Sequence, residues 1–349
     1  MILIYGANGY TGRLIARRAA SLGIRVVLAG RDGASVAALA GELGMEQRAF
    51  GLDDPAALKT GIAGATAVLH CAGPFSRTAV PMATACIDAR VHYVDITGET
   101  SVFEAMAARS DAARAAGVML LPGAGFDVVP SDCLAAHLKA RLPTATKLTL
   151  AFQALGGMSR GTATTMVENI ERGGLIRTNG VLTPVPAAWK TRRIDYGRRP
   201  TQSMTIPWGD VATAYYSTGI GNIEVYTAVS DSAIRAMRLS RHLGWLLGST
   251  PMQKLLRAAI RRRAPGPSDA RRERSYSLLW GEVEDEQGRR ASARMRTPDG
   301  YTLTSITALE IARRASEGNA KPGFQTPSLA YGADLILEVT AGVERWNET

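Results

Sequence analysis

An α/β fold, a doubly wound parallel sheet followed by an α+β domain, is predicted by three features of the chain. Short apolar runs alternate with helical stretches through the first 125 residues. A glycine-rich turn joins the first apolar run to the first helical one. Beyond about residue 145, helical periodicity gives way to β-rich segments separated by turns, which points to a mostly antiparallel second sheet.

In order, strands are expected over 1–6, 25–30, 47–50, 66–72, 92–96 and 118–122, with helices over 11–22, 34–43, 55–61, 79–89 and 99–116. The run Val26-Val27-Leu28-Ala29 is continuously apolar, as a strand covered on both faces should be. A helix over 131–141 takes Ser131 as its N-cap and Asp132 in its first turn, where a negative charge is favourable. Strands then follow over 146–154, 212–218, 223–229, 275–283, 290–297 and 301–308, with Asp299-Gly300 as a hairpin turn. The stretch 156–207 holds one helix near 162–171 and otherwise irregular chain marked by Gly and Pro. The tail over 328–344 is amphipathic, with Leu335 and Val339 one helical turn apart. The division expected is 1–127 for a nucleotide-binding domain and 128–327 for a substrate domain with a basic helical insertion at about 233–274. A C-terminal helix occupies 328–349.

The length of 349 residues suits two domains. With 46% hydrophobic and 21% charged residues, wholesale disorder is excluded. No apolar run approaches the ~18 residues of a membrane span. A basic leader with a cleavage site is missing at the start, so the chain reads as cytosolic. Cys71, Cys86 and Cys133 form no CxxC pair, which argues against a disulfide framework or a metal cluster. The net charge of +10 is local. Residues 235–274 hold eleven Arg/Lys and two acids, whereas the other 309 residues carry 30 basic and 29 acidic side chains. Within this stretch Thr250 and Pro251 read as N-cap and first helical residue. The helix places Met252, Leu255, Leu256, Ala259 and Ile260 on one face and Lys254, Arg257, Arg261 and Arg262 elsewhere. Trp245 lies among leucines at 243–247. Three readings stand: a solvated excursion packed on its own domain, contact with an anionic membrane or lipid substrate, or contact with an acidic carrier protein. Nucleic acid is set aside, because no recognised nucleic-acid module accompanies the charge.

The first strand runs into Gly6-Ala-Asn8-Gly9-Tyr10-Thr11-Gly12 and then a helix. In this GxxGxxG turn Gly6 permits the tight bend, Gly9 lets backbone amides approach a pyrophosphate, and Gly12 lets helix and strand pack closely. The second strand ends in Gly30-Arg31, nineteen residues past Gly12. A planar, permanently charged guanidinium there suits a 2′-phosphate, so NADPH is expected, with Asp32 as the rival NAD contact. The fourth strand leads into Cys71-Ala72-Gly73-Pro74-Phe75, at the carboxyl edge where doubly wound sheets bind ligands. Ordinary packing accounts for His70 and the Cys71 thiol. The fifth strand carries Tyr93 and Asp95, followed by Thr97 and Glu99, which either orient a substrate or cap the next helix. The segment 122–132, containing Gly123, Gly125 and Asp127, joins the two domains.

These motifs resemble the saccharopine dehydrogenase-like oxidoreductases, and in particular the branch of trans-acting enoyl reductases. The resemblance rests on 6–12, 71–75, 93–99 and 123–132, with Ser159-Arg-Gly-Thr-Ala163 and 324–332 further along. It implies NADP-dependent hydride transfer, a second domain that dimerises through its sheet, and a C-terminal helix returning to the first domain. It also implies a small-molecule, lipid or acyl substrate. Tyr93, Asp95 and Asp127 are the candidates for orienting substrate or relaying a proton. No Tyr-xxx-Lys pair of the short-chain dehydrogenase type is present. Reduction of an enoyl C=C, reduction of an imine C=N, and non-catalytic NADP(H) sensing all remain open.

Overall fold

A computed structural model describes residues 1–168, 173–197, 199–240, 249–262 and 264–348. The chain forms two compact units, one of residues 1–129 and 301–341 and the other of residues 130–300 and 342–349.

The first unit is built on a parallel sheet. Its strands are β1 (Ile2–Tyr5), β2 (Val26–Gly30), β3 (Glu46–Ala49), β4 (Ala67–His70), β5 (His92–Asp95) and β6 (Met119–Leu121), with a short strand at Gly323–Phe324. The order across the sheet is Gly323–Phe324, β6, β5, β4, β1, β2, β3. The chain therefore reverses direction of progress between β1 and β4, the switch point at which such sheets bind ligands. β1, β2 and β4 are buried along their whole length, as strands covered by helices on both faces must be. The connecting helices are α1 (Tyr10–Ser21), α2 (Gly33–Leu43), α3 (Pro55–Ile62), α4 (Phe75–Ala89), α5 (Thr100–Ala107) and α6 (Ser110–Ala116). The single helix expected over 99–116 is thus two.

The second unit opens with α7 (Val129–Arg141), whose first residue precedes Ser131 by two. Ser131 is therefore inside the first turn rather than the N-cap, and its hydroxyl donates to Asp210 Oδ1 (2.8 Å). A mixed nine-stranded sheet follows. It comprises β7 (Lys147–Ala154), β8 (Gly174–Thr178), β9 (Val181–Val185), β10 (Thr191–Asp195), β11 (Pro200–Thr205), β12 (Asn222–Ala228), β13 (Tyr276–Glu284), β14 (Arg290–Pro298) and the C-terminal strand Glu344–Glu348. Among the described residues β7 and β12 pair in parallel and the other ladders are antiparallel. Gly281 lies under α7, because a Cβ there would sit 2.7 Å from Leu138 Cδ1.

Four expectations are corrected. The stretch 156–207 is not irregular after its helix (α8, Arg160–Glu168) but supplies β8 to β11. Its hairpin turns at Asn179-Gly180, both with positive φ (48° and 82°), the geometry that favours this dipeptide. The strand expected over 212–218 is helix α9 (Asp210–Thr218), closed by Gly219 in the left-handed conformation. The strand expected over 301–308 is the start of a helix, Gly300–Ser316, which places residues 301–327 in the first unit. In both places β-branched and aromatic residues suggested strands, and burial on a helical period decided otherwise. The tail is two short helices, Pro327–Tyr331 and Leu335–Val339, followed by the C-terminal strand.

In the basic stretch, α10 (Asp231–Ser240) and a helix at Thr250–Arg261 are described. Ser249, not Thr250, is the N-cap of the latter. Arg241, Arg263 and the 243–247 run with Trp245 lie outside the described residues. No helix among the described residues is long and apolar enough to cross a membrane.

Candidate cofactor and proton-transfer site

The glycine turn after β1 is shaped by backbone-to-backbone contact. Gly6 has φ +81°, and a Cβ on it would lie 2.8 Å from the Ala72 nitrogen and Cβ. On Gly12 a Cβ would fall 2.3 Å from the Gly6 carbonyl oxygen, so α1 packs against the turn only without a side chain there. The Gly6 and Ala7 amides donate to the Ala29 carbonyl (2.8 and 3.1 Å), tying the turn to the end of β2. Gly9 is the N-cap of α1, with no side-chain cap and no acid in the first turn. The first amides of α1 have no partner within the helix and stand at the positive end of its dipole, which suits a pyrophosphate. The Tyr10 ring stands edge-on to Tyr301 (5.1 Å between centroids). Asn8 reaches across to Gly30, where a Cβ would lie 3.2 Å from its Oδ1.

The end of β2 carries Arg31 and Asp32, the two residues expected to bear on cofactor choice. Asp32 caps α2: its Oδ1 accepts from the Ser35 amide (3.1 Å) and its Oδ2 from the Ser35 hydroxyl (2.6 Å). These bonds hold the carboxyl below the usual carboxylate range. Arg31 is exposed and makes no hydrogen bond or ion pair among the described residues. A spent carboxylate beside an uncommitted guanidinium fits a 2′-phosphate rather than a bare ribose hydroxyl.

The second loop, after β4, is braced from two sides. Thr78 Oγ1 donates to the Ala72 carbonyl (2.7 Å), and the Glu99 carboxylate accepts from the Phe75 and Ser76 amides (2.8 and 3.1 Å). Glu99 therefore caps α4 across the fold, where Pro74 offers no side-chain cap. Glu99 is also the N-cap residue of the next helix, α5, as one of its two expected roles has it, although its side chain makes no cap bond there. Gly73 is exposed, and a methyl on it would meet nothing closer than 3.6 Å; the protein's own packing does not require glycine at this point. Cys71 is half-buried, and burial pushes its thiol up. His70 is fully buried among the rings of Tyr5, Phe75 and Tyr93. Burial pushes it down to about 3, which keeps it neutral.

The three proton-relay candidates occupy different environments. Tyr93 and Asp95 have no exposed surface. The Tyr93 hydroxyl donates to Asp95 Oδ2 (2.7 Å), while Asp95 Oδ1 accepts from the Thr97 and Gly123 amides (2.9 and 3.0 Å). Burial raises Asp95 to about 6 against these hydrogen bonds, which pull the other way. The pair thus ties the loops after β5 and β6 together beneath the surface. Asp127 differs. It is partly exposed, makes no hydrogen bond or ion pair among the described residues, and is pushed by burial up to about 7. It lies against Gly98, where a Cβ would come 2.7 Å from Asp127 Oδ2.

Sequence reasoning missed the support beneath Asp127. Thr304 Oγ1 accepts from the Phe126 amide (2.9 Å), and the Thr307 hydroxyl donates to the Ala124 carbonyl (2.7 Å). Both threonines sit on the Gly300–Ser316 helix. The signal was the four-residue spacing of Leu303, Thr307, Ile311 and Ala315, all buried.

Comparison with known proteins agrees with this geometry. Residues 2–121 match the family model described as the saccharopine dehydrogenase NADP binding domain. A Mycobacterium tuberculosis protein provisionally named a trans-acting enoyl reductase is 26% identical, covering 97% of this chain and 94% of that protein. A Mycobacterium bovis protein named trans-acting enoyl reductase is 32% identical over 38% of this chain and 33% of its own length. Among solved structures, apo saccharopine dehydrogenase (L-Glu forming) from Saccharomyces cerevisiae aligns with TM-score 0.67 at 13% identity. That alignment covers 100% of this chain and 99% of the yeast one. Homospermidine synthase from Legionella pneumophila aligns with TM-score 0.65 at 10% identity, covering 99% and 91%. These two likenesses speak for the fold.

Proposed function

We propose that this chain, a saccharopine dehydrogenase-like NADP-dependent oxidoreductase, reduces the activated C=C bond of an enoyl substrate on an acyl chain. Asp127 carries the reading: an uncommitted, half-buried carboxyl pushed up to about 7, in the same unit as the nucleotide cradle. NADPH, when bound, supplies the hydride. The amides of Tyr10, Thr11 and Gly12 hold its pyrophosphate and Arg31 its 2′-phosphate. Hydride addition at the β-carbon leaves the α-carbon needing a proton, and a carboxyl poised near neutrality can donate it. Tyr93 and Asp95 act as positioning residues, fixing the Thr97 and Gly123 amides in the loops after β5 and β6. Glu99 fixes the Phe75 end of the second loop in the same way.

The enoyl substrate is supported by the relatives' names, and the acyl chain arrives on a lipid or on a carrier protein. The test is NADPH oxidation against a panel of enoyl thioesters and cyclic imines. Oxidation with the thioesters is expected. Oxidation with imines alone would replace this reading by C=N reduction, and stoichiometric NADPH binding without turnover on any compound would replace it by a sensor.

A further inference from the structure

Elsewhere several cations have acidic neighbours: Arg17 pairs with Glu42, Arg192 with Glu282, and Arg289 with Asp285. In the 235–274 stretch the ion pair among the described residues is Arg272 with Asp269. Arg235, Arg238, Lys254, Arg262, Arg271 and Arg274 are exposed, and among the described residues none has an acidic partner. Clustered like charges left unpaired repel one another, which an opposite surface would relieve.

Two helices, α10 with Arg235 and Arg238 and the one at Thr250–Arg261 with Lys254 and, at its C-cap, Arg262, also expose apolar side chains. On α10, Ile234 is buried with Ala188 and Met204, whereas Leu239 is 62% exposed. The Thr250–Arg261 helix has two apolar stripes. Met252, Leu256 and Ile260 are partly or fully buried, so this stripe packs on the protein's own second unit. Pro251, Leu255 and Ala259, at the same four-residue spacing, face solvent, and Leu255 is 63% exposed. Lys254 and Arg262 flank that outer stripe. The excursion therefore packs on its own domain and still presents a second, basic and apolar face.

We propose that these two helices seat the protein on an anionic lipid surface. Single leucines among Lys and Arg suit a headgroup layer, which rearranges around each cation while the leucines enter the acyl boundary. An acidic protein would instead meet these cations with carboxylates at fixed positions and would need a contiguous apolar patch at its centre. The two exposed leucines stand on separate helices. The proposal deepens the acyl-substrate reading and rests on it for the relevance of lipid; the surface argument itself stands on charge and exposure.

The test is co-sedimentation of the full chain with phosphatidylcholine vesicles, with and without about one-third phosphatidylglycerol. Wild type is expected to pellet only with the anionic vesicles and to be released by salt. The variant Arg235→Glu/Arg238→Glu/Lys254→Glu/Arg262→Glu should lose at least about 600-fold in partitioning, at about fivefold per charge. Leu239→Ser/Leu255→Ser should lose several-fold at unchanged salt dependence. No pelleting at low salt, undiminished pelleting of the charge variant, or preference for an acidic acyl carrier protein over vesicles would each overturn the proposal. NADPH binding and turnover of a short, soluble enoyl thioester are read on the same samples and should match wild type. If turnover fails while pelleting holds, the reductase reading falls and the lipid surface stands.

Discussion

Arg31 and Asp32 are neighbours in sequence with opposite commitments, one uncommitted and one spent on a helix cap. Arg31→Ala should therefore raise the dissociation constant for NADPH by at least tenfold while leaving that for NADH nearly unchanged, as read by fluorescence titration with both nucleotides. Asp32→Ala should lower stability through the lost cap and leave the NADPH preference in place. A swing towards NADPH in that variant would assign Asp32 to the nucleotide instead. Asp127 makes a second residue-level prediction. A general acid at about 7 acts in its protonated form, so kcat should fall as pH rises through that value. Asp127→Asn should lower kcat by roughly 10²–10⁴-fold and remove that limb of the pH profile, with NADPH affinity retained.

At the scale of elements, the loops after β4 and β5 are joined by one side chain. Glu99 satisfies two amides at the start of α4, a helix whose own N-cap is Pro74. Glu99→Ala should cost about 1 kcal/mol, and Glu99→Gln, which keeps one acceptor oxygen, should cost less. Urea midpoints of the two variants check this, and unchanged midpoints in both would mean that the contact contributes nothing to stability. The Gly300–Ser316 helix works similarly from the far end of the sequence, holding the Ala124 and Phe126 backbone through Thr307 and Thr304. The turn dipeptides show how local signals compete. Asn179-Gly180 makes the hairpin its chemistry favours. Asp299-Gly300 instead precedes a helix, since Asp is as good a helix-start residue as a turn residue.

For the molecule as a whole, buried carboxyls set the pH response. Asp95 is raised to about 6, so between the ordinary carboxylate range and that value the native state holds a proton that the unfolded chain has lost. Its contribution to stability is accordingly full at low pH and is lost as pH rises through about 6. His70, lowered to about 3, works in the opposite sense: the unfolded chain binds the extra proton, and stability rises with pH up to the ordinary histidine value. Asp95→Asn keeps the oxygen that accepts from Thr97 and Gly123 and removes only the first effect. Relative to wild type it should gain on the order of 3 kcal/mol between about pH 3 and pH 8, measured by urea unfolding at each pH. A difference independent of pH would show that Asp95 titrates normally.

Much of the first unit is written locally. The positions and order of β1 to β6, the glycine turn and the Arg31 position all follow from short-range rules, because a fully covered strand and a tight phosphate turn each demand particular residues within a few positions. The second unit and the support of the site are set by distant parts of the chain. Thr304 lies 178 residues from Phe126, and β-branched residues became helix at Asp210–Thr218 and Gly300–Ser316 because a buried helical face outweighs local preference. Tertiary structure also separated three carboxylates and a tyrosine that looked alike in sequence. Asp95 and Tyr93 are sealed beneath the loops, Glu99 is spent on a helix, and Asp127 is left uncommitted. Desolvation and hydrogen bonding decide which carboxyl can move a proton, and both depend on what the rest of the fold packs around it.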